Sequence, residues 1–334
     1  MKIPARYHPG LDVIRLAALL PVLCYHFCIE AARLGFAVPA FLIGRAMADW
    51  VEVGLAWFFL LSGAALCLQW QGRFRWRPYL VGRAAAMYPP FWLGFLVLFL
   101  YGDVLHGNNP DISRWRVVFS LLGLDGYLAP VTPTFYKIGE WFLGVILLLY
   151  LLFPLLLWCM ETRRRRLLLG SLLLVWQLVW PFLCPAPLEA GHTVLGRLPA
   201  FALGVWFGTQ LRENLTPLPR AFWGLAALPL LWVPAVPRLA VLLAVSAALF
   251  WVVYRLGQYI PRRFWAALRR PAGWSYGVYL VHHVLLTLVL LPAAQRTGWP
   301  LPVWFPVFLV LSFVLAALLT AMTAPFSRWL KRLG

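Results

Sequence analysis

Long apolar runs separated by short polar ones recur from one end of the chain to the other. Windows of about 20 residues, the length an α-helix needs to cross a bilayer, predict ten spans. They fall near 11–33, 50–71, 78–101, 139–160, 167–185, 195–211, 220–236, 238–256, 272–293 and 302–325. The division between the seventh and the eighth rests on "VPAVPR", where prolines punctuate an apolar run. Polar connections are short except over 102–138, which holds "HGNNPDISRWR" and "LDGYLAPVTPTF". The pattern therefore predicts an all-α polytopic membrane protein, one membrane domain over 1–334. An extracytoplasmic loop is expected at 102–138 and a short basic cytoplasmic tail at 326–334. The first apolar segment carries charge and lacks a small-residue cleavage site, so it is read as retained.

Composition agrees with that solvent. Of 334 residues, 63% are hydrophobic and 12% charged, against roughly 45–50% and 25% in soluble domains. Charge then orients the chain. With the N-terminus inside, twenty basic residues fall in inner segments and seven in outer ones, the bias expected of cytoplasmic loops. This supports ten spans with both termini in the cytoplasm. It also accounts for the net charge of +18 by loops lying beside anionic lipid head groups, with no nucleic-acid-binding motif to suggest another partner. The five cysteines form no CxxC pair and fall in or at the ends of apolar spans, as buried small hydrophobes do. Metal sites, dinucleotide fingerprints and a P-loop are absent by inspection.

One stretch departs from the apolar pattern. "LDVIRLAALLPVLCYHF", residues 11–27, carries Asp12, Arg15 and His26 on a predicted membrane helix, where each ionisable group costs free energy unless it lines a site or a pathway. At 100° per residue the three project within an arc of about 60°, and Arg15 lies about 16 Å from His26 along the axis. Pro21 between them makes that alignment approximate. A polar cavity on this face is one reading. An interfacial Asp12–Arg15 salt bridge beside a merely interhelical His26 is the other.

These residues resemble the opening signature of the acyltransferase-3 family of integral-membrane O-acyltransferases, in which an Arg and a His are separated by ten residues. Five further segments resemble family elements in the family's order: "VGLAWFFLLSGAALC", "LVGRAAAMYPPFW", "GEWFLGVILLLYLLFPLL", "GRLPAFALGVWFG" and "WSYGVYLVHH". The resemblance runs from residue 11 to about 325. It implies a transferase that moves an acyl group, usually acetyl, from acetyl-CoA or another acyl-CoA to a hydroxyl of a carbohydrate or lipid-linked glycan. No bound cofactor is expected beyond this donor. It also implies a bacterial inner membrane and polysaccharide-biosynthesis proteins as partners.

Within that resemblance His26 takes the role of general base, because a neutral imidazole titrates near working pH. Arg15 would bind a donor phosphate or hold Asp12 and His26 in place. Arg83 matches the first arginine of the family's RxxRxxP segment, whereas the second position is Ala86. Arg83, Arg77 and Arg75 are the expected donor-phosphate group, with plain positive-inside topology as the alternative. Acceptor or cavity roles fall to Glu140, Trp141, Arg197, Ser62 and His282. For each a plainer role stands beside it: helix packing at Ser62-Gly63, a favourable helix N-terminus for Glu140, an interhelical hydrogen bond for His282. Arg197 is expected to meet an acidic or phosphorylated acceptor. His283 has no counterpart in the family pattern. Two rival classes remain, a transporter or glycolipid flippase and a non-catalytic scaffold.

Overall fold

A computed structural model describes residues 7–107, 112–135, 137–212, 226, 229–230, 233 and 235–334. Among them the chain is helical throughout, with an isolated bridge between Gly126 and Glu140 the only β pairing. Nine long helices form it: α1 (Pro9–Arg33), α2 (Arg45–Trp70), α3 (Trp76–Leu105), α4 (Trp141–Met160), α5 (Arg163–Leu183), α6 (Val194–Arg212), α7 (Arg238–Gln258), α8 (Ser275–Thr297) and α9 (Leu301–Arg332). All but α6 are long and apolar enough to cross a membrane, so the chain is an all-α, multi-pass membrane protein. The expected span at 220–236 lies for the most part outside the described residues. The loop expected to begin at 102 begins later, because α3 runs on through a π-helical turn at Leu100–Leu105. The basic 326–332 segment continues α9.

The exception, α6, explains itself by its place. It holds Gly196, Arg197, Gly204, Gly208, Thr209 and Gln210, which lower its hydropathy, yet most of its residues are buried. Here the glycines serve close approach. α6 runs parallel to α2, and a Cβ on Gly63 would collide with the carbonyl oxygen of Phe201, just as one on Gly204 would strike Leu60. Small residues let membrane helices pack backbone to backbone and gain dispersion contacts that lipid cannot offer. A similar approach seats α7 on α1, where Gly257 faces Gly10.

These contacts leave the helices alternating in direction. The start of α1 and the ends of α2, α4, α6, α7 and α9 share one end of the molecule, together with the Arg73–Arg77 and Arg163–Arg166 segments. We call it the basic end. α6 ends there at Arg212, and the next long helix, α7, starts at the far end at Arg238, where the guanidinium donates to Asp49 at 2.6 Å.

At the far end, short helices at Val117–Leu122 and Asp125–Leu128 dock on the start of α4, with Tyr127 packed over Gly144. Asp125 is 1% exposed. Burial pushes its carboxyl up from an ordinary 3.8 to about 6, with Ser120 offsetting part of the effect. Because the folded value is raised, the neutral acid favours the docked loop fully below about pH 4. That contribution fades as pH climbs through about 6, leaving a cost of about 3 kcal/mol at neutrality. Asp125→Asn should therefore make this loop more resistant to limited proteolysis at pH 7 and hardly change it at pH 4. Equal effects at both values would show that the charge on Asp125 is not what strains the loop.

Candidate active site

A cavity of about 420 Å³ runs up the middle of the bundle between α1, α2, α3, α4 and α8. At its basic end it is lined by Arg15, Gln69, Arg83 and Ser275, and at its far end by His26, Glu140, Trp141, His192 and His282. Apolar side chains such as Leu19, Val22, Phe58, Leu61, Met87 and Ile146 line the stretch between them. Its length follows from one helix. Arg15 and His26, eleven residues apart on α1, project into the same space from opposite ends, which sets their backbones about 16 Å apart.

The basic end holds two cations in different states. Arg15 donates to Asp12 at 2.8 Å, and Asp12 also accepts from the Tyr7 hydroxyl at 2.6 Å. Asp12 itself does not line the cavity; it is a partner that fixes Arg15. Arg83 is freer. Its guanidinium lies 5.7 Å from the centre of the Tyr150 ring, and its buried Nε has no hydrogen-bond partner among the described residues. An unpaired guanidinium donor at a cavity wall is a position prepared for an acceptor atom. Arg75 and Arg77 are exposed at the start of α3 and do not line the cavity, so of the three expected donor arginines only Arg83 reaches it. Ala86 also faces outward.

The far end gathers three histidines and two carboxylates from two helices, α1 and α8, and the cap of α4. The His26 ring centre lies 5.2 Å from that of His282, edge to face, and 5.2 Å from that of His283. His282 is 1% exposed. Its Nδ1 faces the Tyr279 carbonyl at 2.8 Å and the Val278 carbonyl at 3.2 Å. A carbonyl only accepts, so Nδ1 carries the proton and Nε2 presents a lone pair that has no partner among the described residues. His283 lies between two carboxylates, Nδ1 at 3.2 Å from Glu140 and Nε2 at 3.5 Å from Glu30. Glu140 caps α4, and the Tyr279 hydroxyl locks that cap by donating to the Glu140 carbonyl at 3.1 Å and accepting from the Leu143 amide at 3.2 Å.

Metal chemistry has a candidate here. His26, Glu140 and His282 each offer a ligand atom, all within 4.8 Å of one another. Two imidazoles and a carboxylate suit a divalent metal, although neighbouring ligand atoms on a tetrahedral zinc ion would be closer, roughly 3.3 Å for bonds of 2.0–2.1 Å.

Trp141 forms part of the cavity wall and stacks on His192, centroids 4.1 Å apart. Burial holds the His192 imidazole below its ordinary value, Glu189 opposing that effect, which keeps the stacked ring neutral near pH 7. Ser62 lines the cavity, while its neighbour Gly63 makes the helix contact described above. Arg197 does not open onto the cavity. Its Nε donates to the Gly191 carbonyl at 2.5 Å and its two terminal nitrogens to the Glu52 carboxylate, Nη2 to Oε2 at 2.9 Å. Its donor fork is bonded inside the protein, to Glu52 and the Gly191 carbonyl, so the structure does not bring Arg197 together with the other expected acceptor residues.

A second cavity of about 280 Å³ lies beyond Glu140. Tyr101, Gly102, Lys137, His283 and Thr287 line it, and Glu140 and Tyr279 are the two residues it shares with the first. Sequence reasoning passed over Glu30, His192 and His283, and the signal available for them was slight: a second histidine in "YLVHH" and a lone Glu near the end of the first span.

The family model for an acyltransferase domain matches residues 8–321 of this chain. No curated protein and no solved structure matches it.

Proposed function

The chain belongs to the acyltransferase-3 family, and from that premise we propose that it moves an acyl group, acetyl above all, from acyl-CoA to a hydroxyl of a cell-envelope or exported carbohydrate. Membership establishes a membrane acyltransferase in general. The choice of donor, acceptor and base rests on one observation, a single cavity that joins unpaired Arg83 at the basic end to His26 at the other.

The positive-inside bias makes the basic end cytoplasmic, in a bacterial inner membrane. Acyl-CoA arrives there. Its phosphates stay with Arg83, which has no carboxylate partner among the described residues, while Arg15, held by Asp12, adds hydrogen-bond donors beside it. Its slender pantetheine arm reaches up the apolar stretch and carries the thioester toward His26. His26 then takes the acceptor's hydroxyl proton as the oxygen attacks the thioester carbonyl carbon. The tetrahedral intermediate collapses, the C–S bond breaks, and the proton on His26 passes to the departing CoA thiolate. An ester and free CoA result. His282, fixed as the Nδ1–H tautomer, keeps a neutral wall beside His26.

Purified protein in bilayers, supplied with acetyl-labelled acetyl-CoA and envelope glycan, should release CoA and label the glycan in equal amounts. Arg83→Ala should raise the KM for acetyl-CoA about tenfold or more and leave the KM for glycan unchanged, the loss of one charge-assisted contact being worth about 1.5–3 kcal/mol. An unchanged donor KM would make the arginines a matter of topology alone. Dialysis against a chelator should leave the rate intact. Loss of activity there, with recovery on adding zinc, would reassign His26, Glu140 and His282 as metal ligands. Protein that carries glycan across the bilayer without labelling it would support a flippase in place of a transferase.

A further inference from the structure

We propose that the second cavity is the acceptor subsite and that it takes a neutral saccharide residue, one bearing hydroxyls but no phosphate or carboxylate. The inference rests on the transferase reading above and names the second substrate's place and charge.

Two substrates have to meet at His26, and the transferase reading brings the donor up the first cavity, of about 420 Å³, from its basic end. An acceptor that comes from the opposite side needs its own approach to the thioester. The second cavity provides one from the other side of the same partition. Glu140 and Tyr279 form that partition, because they alone line both spaces among the described residues. His26 stands on the donor side of it. His283, whose ring centre is 5.2 Å from that of His26, stands on the acceptor side.

The walls suit a polyol. Lys137 and His283 carry donors, and the Glu140 carboxylate and the Thr287 and Tyr279 hydroxyl oxygens, whose own protons go to the His283 and Glu140 carbonyls, can accept, as a sugar ring with hydroxyls around its rim requires. Leu98, Val284 and Leu288 supply apolar surface for its C–H faces. Charge then narrows the class. The Lys137 ammonium is neutralised by Asp103 at 2.9 Å, and that carboxylate is itself buried. His283 is enclosed by Glu140 and Glu30. Among the described residues that line it no cation is left over for an anion, and two carboxylates stand near the back wall, so a phosphate or carboxylate would meet repulsion without a counter-charge. This is the reverse of the basic end of the first cavity.

Both side walls depart from regular α-helix at this place. Tyr101 and Gly102 belong to the π-helical turn Leu100–Leu105 of α3, and Thr287 and Leu288 to the π-helical turn Leu286–Leu290 of α8. A π turn inserts a residue and widens the helix, and such turns recur at functional sites. Here two of them face one space.

Gly102 offers a clean test, because a Cβ there would find only the Lys137 Nζ within 4 Å, at 4.0 Å. A Cβ there enters open space on the wall of the second cavity. Membranes carrying the parent protein, Gly102→Phe or Thr287→Val would be given acetyl-labelled acetyl-CoA and envelope glycan that has been separated into a neutral fraction and a phosphate- or carboxylate-bearing fraction. The parent should label the neutral fraction. Gly102→Phe should label it at least tenfold more slowly while its affinity for acetyl-CoA stays at the parent value, which also reports that it is folded. Should that affinity fall as well, Thr287→Val, the same shape without a hydroxyl, decides: a several-fold higher KM for neutral glycan with an unchanged donor KM supports the subsite. Parent-like acceptor kinetics in both variants, or label confined to the anionic fraction, would overturn it while leaving the transferase standing. A parent that labels neither fraction would remove the transferase reading and this one with it.

Discussion

His26→Ala should lower acyl transfer about 10²–10⁴-fold while the protein remains inserted and folded, the loss expected when a positioned general base is removed from a proton-transfer step. The site makes the experiment clean. His26 packs edge to face against His282 and tilted against His283, and neither neighbour is held in place by it: His282 is anchored to backbone carbonyls and His283 to two carboxylates. Truncation should therefore leave both neighbours where they are. On the proposed reading the acetyl-CoA KM should change little, because the donor phosphates would lie at the other end of the cavity. His26→Gln repeats the test with closer packing and an amide that hydrogen-bonds but does not titrate; it should fail equally. A variant abundance matched to the parent by quantitative blotting guards against misfolding. Full transfer by His26→Ala would leave Asp12, Arg15 and His26 as a structural network and move the chemistry to another group, His282 first.

The sequence showed the membrane class because apolar length is a local property, written in consecutive residues. It also showed that Arg15 and His26 share a face, since helical period follows from spacing alone. What it hid depends on contacts between helices. Glu140 meets His26 across more than a hundred residues, and two π turns, in α3 and α8, both line the second cavity. Nothing in "LYGDVL" or "LTLVL" announces that register change. Arg75, Arg77 and Arg83 look alike as a basic cluster, yet α3 turns only Arg83 inward. Asp12 lies on the right face of α1 but spends its charge on Arg15 and Tyr7. α6 reads as a span by its ends and fails by its hydropathy, since its glycines and polar groups are answered by α2 in place of lipid.

Arg197 carries the largest expected stability effect, because the structure gives it partners inside the protein. At 1% exposure its guanidinium is among the most deeply buried large groups described. The fork is bidentate on Glu52, Nε is on the Gly191 carbonyl, and the flat faces meet Trp141 and Phe59 with ring centres 5.4 and 5.5 Å away. It thereby ties α2 to α6 and supports the Trp141 wall of the first cavity. Burying a pair of charges gains little over burying two apolar groups, but removing one partner strands the other in a medium that does not solvate it, at a cost of about 3–5 kcal/mol. Arg197→Ala and Glu52→Gln should each lower the thermal midpoint of the detergent-solubilised protein by several degrees. Arg197→Lys should recover part of the loss, keeping the charge without the planar fork. The double variant Arg197→Met/Glu52→Leu should be more stable than either single variant, because no buried charge is left unpaired, and that recovery is the mark of a structural pair. If Arg197→Ala instead kept its melting midpoint and only weakened the protein's grip on acidic glycan, the pair would be a substrate clamp, and the neutral acceptor subsite beyond Glu140 would lose its rationale.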